Sequence, residues 1–166
     1  MDPSIDQLTK RSGLSARSIF RYFEGLDDLR RAVIQRHFER LEPLLDSAGD
    51  ADSPLDGRIK RFVDIRIKVN ESLAGPARTA QLRAPYAPVI AADIHRYRKI
   101  LDSHVREHFA PELKARTRAE ADDLVALIDV IVSVSGWDLM VNEYDRSRTQ
   151  VRRAWTHALE ALLAHR

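Results

Sequence analysis

Apolar residues recur at three- and four-residue steps along most of the chain, and no stretch alternates with the two-residue period of a strand. The pattern predicts helices throughout. Ser4 is placed to cap a first helix with Ile5 and Leu8 on one face. Ser12-Gly13 is placed to stop it, because glycine tolerates the left-handed backbone of a tight turn. Ser15 caps a second short helix with Ile19, Phe20 and Phe23 directed inward and Arg17 and Arg21 outward, and Gly25 ends it. A third helix opens on Asp27 and Asp28, which suit the positive end of a helix dipole. It runs to about Asp46 on the stripe Leu29, Val33, His37 or Phe38, Leu41 and Leu45.

Small and polar residues at 47–54 read as a loop, dividing the chain into regions 1–46 and 47–166. A helix over 55–73 is apolar around much of its girth, and Gly75-Pro76 is expected to break it before a short helix at 77–83. Pro85-Tyr86-Ala87-Pro88 leads into a helix over 88–109 carrying Ile90, Ile94, Leu101, Val105 and Phe109, with Pro111 as its stop. A helix over 118–142 is apolar almost all round at 124–134 except for Asp129. Such a helix has to be covered on more than one side, by the chain's own core or by a second subunit. The last helix, over 148–165, aligns Val151, Trp155, Ala158, Leu159 and Leu162. The fold class is therefore all-α.

Composition narrows the function classes. With 166 residues and 44% hydrophobic content the chain can bury a real core. A net charge of +2 decides little, but residues 9–22 hold Lys10, Arg11, Arg17 and Arg21 with no acidic residue, a patch that attracts phosphates. The lack of cysteine removes disulfides and thiolate metal sites and fits a cytoplasmic protein. No apolar run nears the ~20 residues of a membrane span, and MDPSIDQLTK lacks the pattern of a signal peptide. No membrane association is expected. Neither G-x-G-x-x-G, nor a P-loop, nor G-x-S-x-G is present, so neither enzyme activity nor a cofactor is expected.

Two short helices, a glycine-containing turn and a third helix make the layout of a helix-turn-helix. Packing of Ile5, Leu8, Ile19 and Phe23 would free the start of the second helix to enter a major groove. Arg17 then suits a guanine edge, while Ser15, Ser18, Arg21 and Tyr22 suit phosphates. A helical hairpin with solvated arginines fits the same residues about as well. The run SIDQLTKRSGLSARSIFRYFEGLDDLRRAVI, however, resembles the signature of the TetR (tetracycline-repressor-like) family of transcription regulators. The matching elements are Ser4-Ile5, Leu8-Thr9, Gly13-Leu14-Ser15, Ser18-Ile19-Phe20, Tyr22-Phe23, Leu29 and Ala32-Val33. Gly136-Trp137 and the final helix with Trp155 and Ala158–Leu163 are similar to the C-terminal region of many members.

The resemblance implies a helix-turn-helix head on a helical body that binds ligand and dimerises, and repression of transcription relieved by a small molecule. The implied partners are a double-stranded DNA operator, a small apolar or amphipathic ligand and a second copy of the chain. The DNA-binding residues would be Ser4, Ser15, Ala16, Arg17, Ser18, Arg21 and Tyr22. The last two helices would pair across a two-fold axis, with Leu124, Ile128, Ile131, Trp155, Leu159 and Leu162 in the interface. Two departures lower the expected DNA affinity. Members carry a further helix ahead of the position of Ser4, whereas only Met1-Asp2-Pro3 precede it here, leaving Ile5, Leu8 and Phe23 without that cover. Members also often have lysine at the positions of Ala16 and Leu26.

In the body, Arg66 and Asn70 are polar residues among apolar helical neighbours, so each must find a partner. They orient a ligand in an apolar cavity together with Phe62, Tyr86, Tyr97 and Trp137, or they pair internally, Arg66 with Asp129 for instance. Trp137 and Trp155 suit either the core or a dimer interface. His104-Val-Arg-Glu-His108 matches the H-x-x-E-H pattern of a zinc peptidase class, the remote alternative. Nearby arginines and the lack of an evident third ligand count against it. A helical dimeric sensor module with a degraded head is the nearer alternative.

Overall fold

The computed structural model describes residues 4–45 and 53–164, and every element in it is helical. The expected region boundary at 46/47 lies outside the described residues, as do the side chains of His37, Phe38 and Leu41. The head comprises α1 (Ile5–Ser12) and α2 (Ala16–Tyr22), followed by the long α3 (Leu26–Leu45). The body holds α4 (Leu55–Arg83), a short 3-10 turn (Ala84–Tyr86), α5 (Pro88–His108), α6 (Ala110–Lys114), α7 (Arg118–Ile131), α8 (Val134–Asp138), a π turn (Leu139–Glu143) and α9 (Arg148–Ala164).

Three expected helix boundaries are corrected. First, α4 runs unbroken through Gly75-Pro76. Proline removes one backbone hydrogen bond and strains the helix. Leu73 and Ala80 are nevertheless buried against α5, and that packing holds the helix together across the proline. Second, Pro111 lies in the first turn of α6, a position where its missing N–H costs nothing. There Glu112 receives a forked pair of hydrogen bonds from the buried Arg58, tying α6 to the start of α4.

Third, the expected helix over 118–142 is broken at Val132-Ser133. Ser133 caps α8 by accepting from the Gly136 amide at 2.9 Å. Asn70 donates from Nδ2 to the freed carbonyl of Val132 at 2.9 Å. A Cβ on Gly136 would lie 2.5 Å from the Ile131 carbonyl oxygen, so only glycine fits this close passage.

The main core joins α4 (Ile59, Phe62, Val63), α5 (Val105, Phe109), α7 (Leu124, Val125, Ile128) and α9 (Trp155, Leu159). Helix α4 packs on both α5 and α9, and α7 contacts the same two helices. The head reaches the body through α3. Asp93, buried on α5, meets Arg31 at 3.8 Å and Arg96 at 3.1 Å, and Arg96 donates to Gln35 at 2.7 Å.

The stretch Arg118–Glu143 reaches a mean hydropathy of 2.0 in its best window and is long and apolar enough on average to cross a membrane, contrary to the expectation that no run nears that length. Here it is broken at 132–133, and its Asp129 pairs with Arg66 at 3.6 Å.

Candidate functional site

In the head, capping decides the geometry. Ser4 and Gln7 form a reciprocal capping box at the start of α1. Gly13 closes that helix with φ of 71°. Ser15 then caps α2 by accepting from the Ser18 amide at 3.1 Å, and its hydroxyl lies 3.0 Å from that of Ser18. The result is a short, abrupt turn between two helices. Arg17, Arg21 and Tyr22 are exposed, and Ala16 and Ser18 are half-buried. Arg21 lies over the Tyr22 ring and donates to its hydroxyl at 2.8 Å.

Only Ile19 is buried in α2, and α1 buries no side chain. Phe20, expected inward, is exposed on the same helix as Arg17 and Arg21. Its i, i+3 spacing from Arg17 was the available signal, but an aromatic reads as core by default. Val33, expected inward on α3, is likewise exposed. It lines an apolar groove of about 290 Å³ with Leu8, Leu26 and Leu29 from the head side and Pro76 and Ala80 from α4.

The body contains a cavity of about 100 Å³ between α4, α5, α7 and α8, lined by Leu73, Ala77, Ile94 and Leu101. Polar residues on its wall are Asn70, Tyr97 and Asp129, with Gln81, Arg98, Ser133 and Ser135. Of the six expected pocket residues, Asn70 and Tyr97 line it. Arg66 lies behind it, buried, pairing with Asp129 and donating to the Leu101 carbonyl at 2.8 Å. Phe62 and Trp137 belong to the core instead, and Tyr86 is 83% exposed, because the 3-10 turn carries it away from the bundle. Burial pulls the Arg66 guanidinium down to about 10, against the attraction of Asp129. Burial also raises the Asp129 carboxyl, with Arg66 opposing, and raises the Tyr97 phenol.

Pro76 and Ala80 belong to the walls of both the cavity and the head groove, so one turn of α4 separates the two spaces. Outside the cavity lies a vestibule of about 770 Å³ carrying Arg78, Asp138, Glu143 and Tyr144, none of which the sequence pattern marked.

The expected interface residues divide. Leu124, Ile128, Trp155 and Leu159 are buried within the single chain, so they present no surface to a partner. Ile131 and Leu162 are half-buried. The exposed apolar positions of α7 are instead Leu127 and Val130, 52% and 69% exposed. Trp137 and Trp155 meet edge to face at 6.1 Å inside the core.

His104 and His108 are both buried, packed against Phe62 with ring centroids 5.1 and 5.3 Å from it. His108 donates from Nε2 to the Arg58 carbonyl at 2.8 Å. Burial lowers both imidazoles, His104 to about 3. Glu107 is exposed, away from the buried pair it would have to serve as base. Among the described residues no group of three or more His, Cys, Asp or Glu side chains is arranged to hold a metal.

No family model, curated protein or solved structure matches the chain.

Proposed function

We propose that the protein is a DNA-binding transcription regulator of the TetR type, a homodimeric repressor released by a small apolar or amphipathic molecule held in the body. One observation carries this reading. The head is a Ser15-capped helix after a tight glycine turn, with Arg17, Arg21 and Tyr22 exposed and no acidic residue between 9 and 22. In a major groove, the free amides at the start of α2 and the Arg21 guanidinium would meet phosphates, and Arg17 would read base edges.

Two further features support the rest of the reading. Only 28% of the most apolar 18-residue window within 118–143 is buried in one chain, which leaves Leu127 and Val130 for a second copy. In a two-fold dimer two heads would lie about one DNA turn, roughly 34 Å, apart. The shared wall at Pro76 and Ala80 gives a cavity occupant a short route to α3, whose Leu26 and Leu29 line the other side.

The test is fluorescence anisotropy on duplexes tiling the region upstream of the protein's own gene. The expected result is one segment bound more tightly than random duplex, with the preference lost in Arg17→Ala. Equal binding to all duplexes at low salt overturns the reading. A second reading, a dimeric sensor module whose head no longer selects DNA, is favoured by the absence of any buried side chain in α1. A dimer with no duplex preference selects it.

A further inference from the structure

The cavity of about 100 Å³ is too small for a regulatory ligand on its own. Ordinary ligand pockets span roughly 300–1,000 Å³, and even a benzene ring is accommodated in a void of about 150 Å³. The vestibule of about 770 Å³ next to it shares Gln81, Val134 and Ser135 with the cavity wall. The Gln81 Nε2 to Ser135 Oγ hydrogen bond of 3.3 Å, exposed to solvent, crosses between α4 and α8 at this shared boundary. A contact that long and that wet is a weak barrier.

We propose that cavity and vestibule form one two-part site for an elongated molecule. A slim apolar stem passes between Gln81 and Ser135 and ends in an N–H or O–H donor at Asn70 and Asp129, while a bulkier remainder stays in the vestibule. This rests on the reading of the body as a sensor. The length follows from the α7–α8 break: Asn70 Nδ2 lies 3.4 Å from the Ser133 carbonyl, and Gln81 bonds Ser135 two residues further on, at most about 7 Å of chain, so a four-carbon stem reaches from Gln81 to Asn70. Between them Leu73, Ala77 and Ala80 line an apolar passage.

The donor at the tip follows from what the inner end lacks. Asn70 is buried and uses Nδ2 on the Val132 carbonyl, leaving Oδ1 as an acceptor. Asp129 has a buried Oδ1 that takes no hydrogen bond, since Arg66 stands off at 3.6 Å. A buried carboxylate oxygen without a donor is costly, so a molecule that brings one to Asp129 is selected, with Asn70 Oδ1 as a second acceptor. A carboxylate tip would meet these oxygens head-on. The cation on the cavity wall that could draw it, Arg98, is exposed at the rim.

The experiment uses four probes with the same stem: 4-phenylbutylamine, 4-phenylbutanol, 4-phenylbutyrate and butylbenzene, titrated into the whole chain by calorimetry. The amine and the alcohol are expected to bind at least roughly tenfold more tightly than the other two, the scale of one well-made hydrogen bond to a charged group. A lead of the amine over the alcohol identifies a cationic tip, and equal binding a neutral one. Gln81→Trp, a change at an exposed position, is expected to abolish binding of both with the helical circular dichroism intact. The proposal is overturned if phenylbutyrate or butylbenzene binds as well as the amine and alcohol, if none binds at millimolar concentration, or if Gln81→Trp leaves affinity unchanged. Probe binding that follows the expected order but never alters DNA affinity keeps the two-part site and overturns the regulator reading instead.

Discussion

His104 carries a measurable consequence of burial. Both ring nitrogens are buried and take no hydrogen bond, and the stacked Phe62 offers none. The folded protein keeps this imidazole neutral down to about pH 3, whereas the unfolded chain takes up its proton near an ordinary value of about 6.5. Between these limits the unfolded state binds more protons, so stability is lost as pH falls from about 6.5 toward 3. Urea unfolding is expected to show a lower midpoint at pH 5 than at pH 7, and His104→Phe is expected to reduce that difference. An equal drop in both proteins counts against it. At the head, Arg21 lies over the Tyr22 ring, and in the proposed reading it meets phosphates rather than base edges. Arg21→Ala is therefore expected to weaken binding to all duplexes alike and to lower the slope of affinity against salt by about one counterion. Arg17→Ala should instead blur sequence preference, which competition with mutated duplexes measures.

The break between α7 and α8 is where elements constrain one another most. Asn70 on α4 holds the Val132 carbonyl, Ser133 caps the next helix, and Gly136 passes against the Ile131 carbonyl. Asn70→Ala leaves that carbonyl buried without a donor and is expected to cost about 1–3 kcal/mol of stability. Gly136→Ala forces backbone apart and is expected to cost about as much, roughly 1–3 kcal/mol, by the same measure, the shift in urea midpoint. A neutral result at Gly136 would mean the break relaxes freely. The break also shapes the cavity, since Ser133, Val134 and Ser135 line it. A continuous helix over 118–142 would carry these residues elsewhere.

At the scale of the whole molecule, the proposed dimer would use the exposed apolar positions of α7, Leu127 and Val130. Val130→Asp places a charge on a side chain 69% exposed, so it harms no core contact of the single chain. Light scattering is expected to find dimers for the native protein and monomers for Val130→Asp, with circular dichroism unchanged. A dimer in both moves the two-fold interface away from this face. The head depends on the body through Asp93, Arg31, Arg96 and Gln35. Asp93→Ala is expected to speed amide exchange in α1–α3 more than in α4 or α9, because it removes the anchor that the two cations share.

Capping residues and three- and four-residue apolar steps act locally, so the all-helical class and most helix starts are legible along the chain. Ser4 and Ser15 each cap where the pattern places them. The same pattern also marks Arg17, Arg21 and Asn70, a basic pair on one short helix and a polar residue in an apolar stripe. Tertiary structure alone decided what those signals do not contain. Pro76 stays helical because packing against α5 outweighs a lost hydrogen bond, and the helix after Arg118 breaks because a side chain 62 residues away captures its carbonyl. Tyr86 leaves the pocket, and Leu124, Ile128, Trp155 and Leu159 leave the interface, for one reason. Periodicity tells which side of a helix is apolar, but only the placement of neighbouring helices settles whether core, cavity or a second chain covers it.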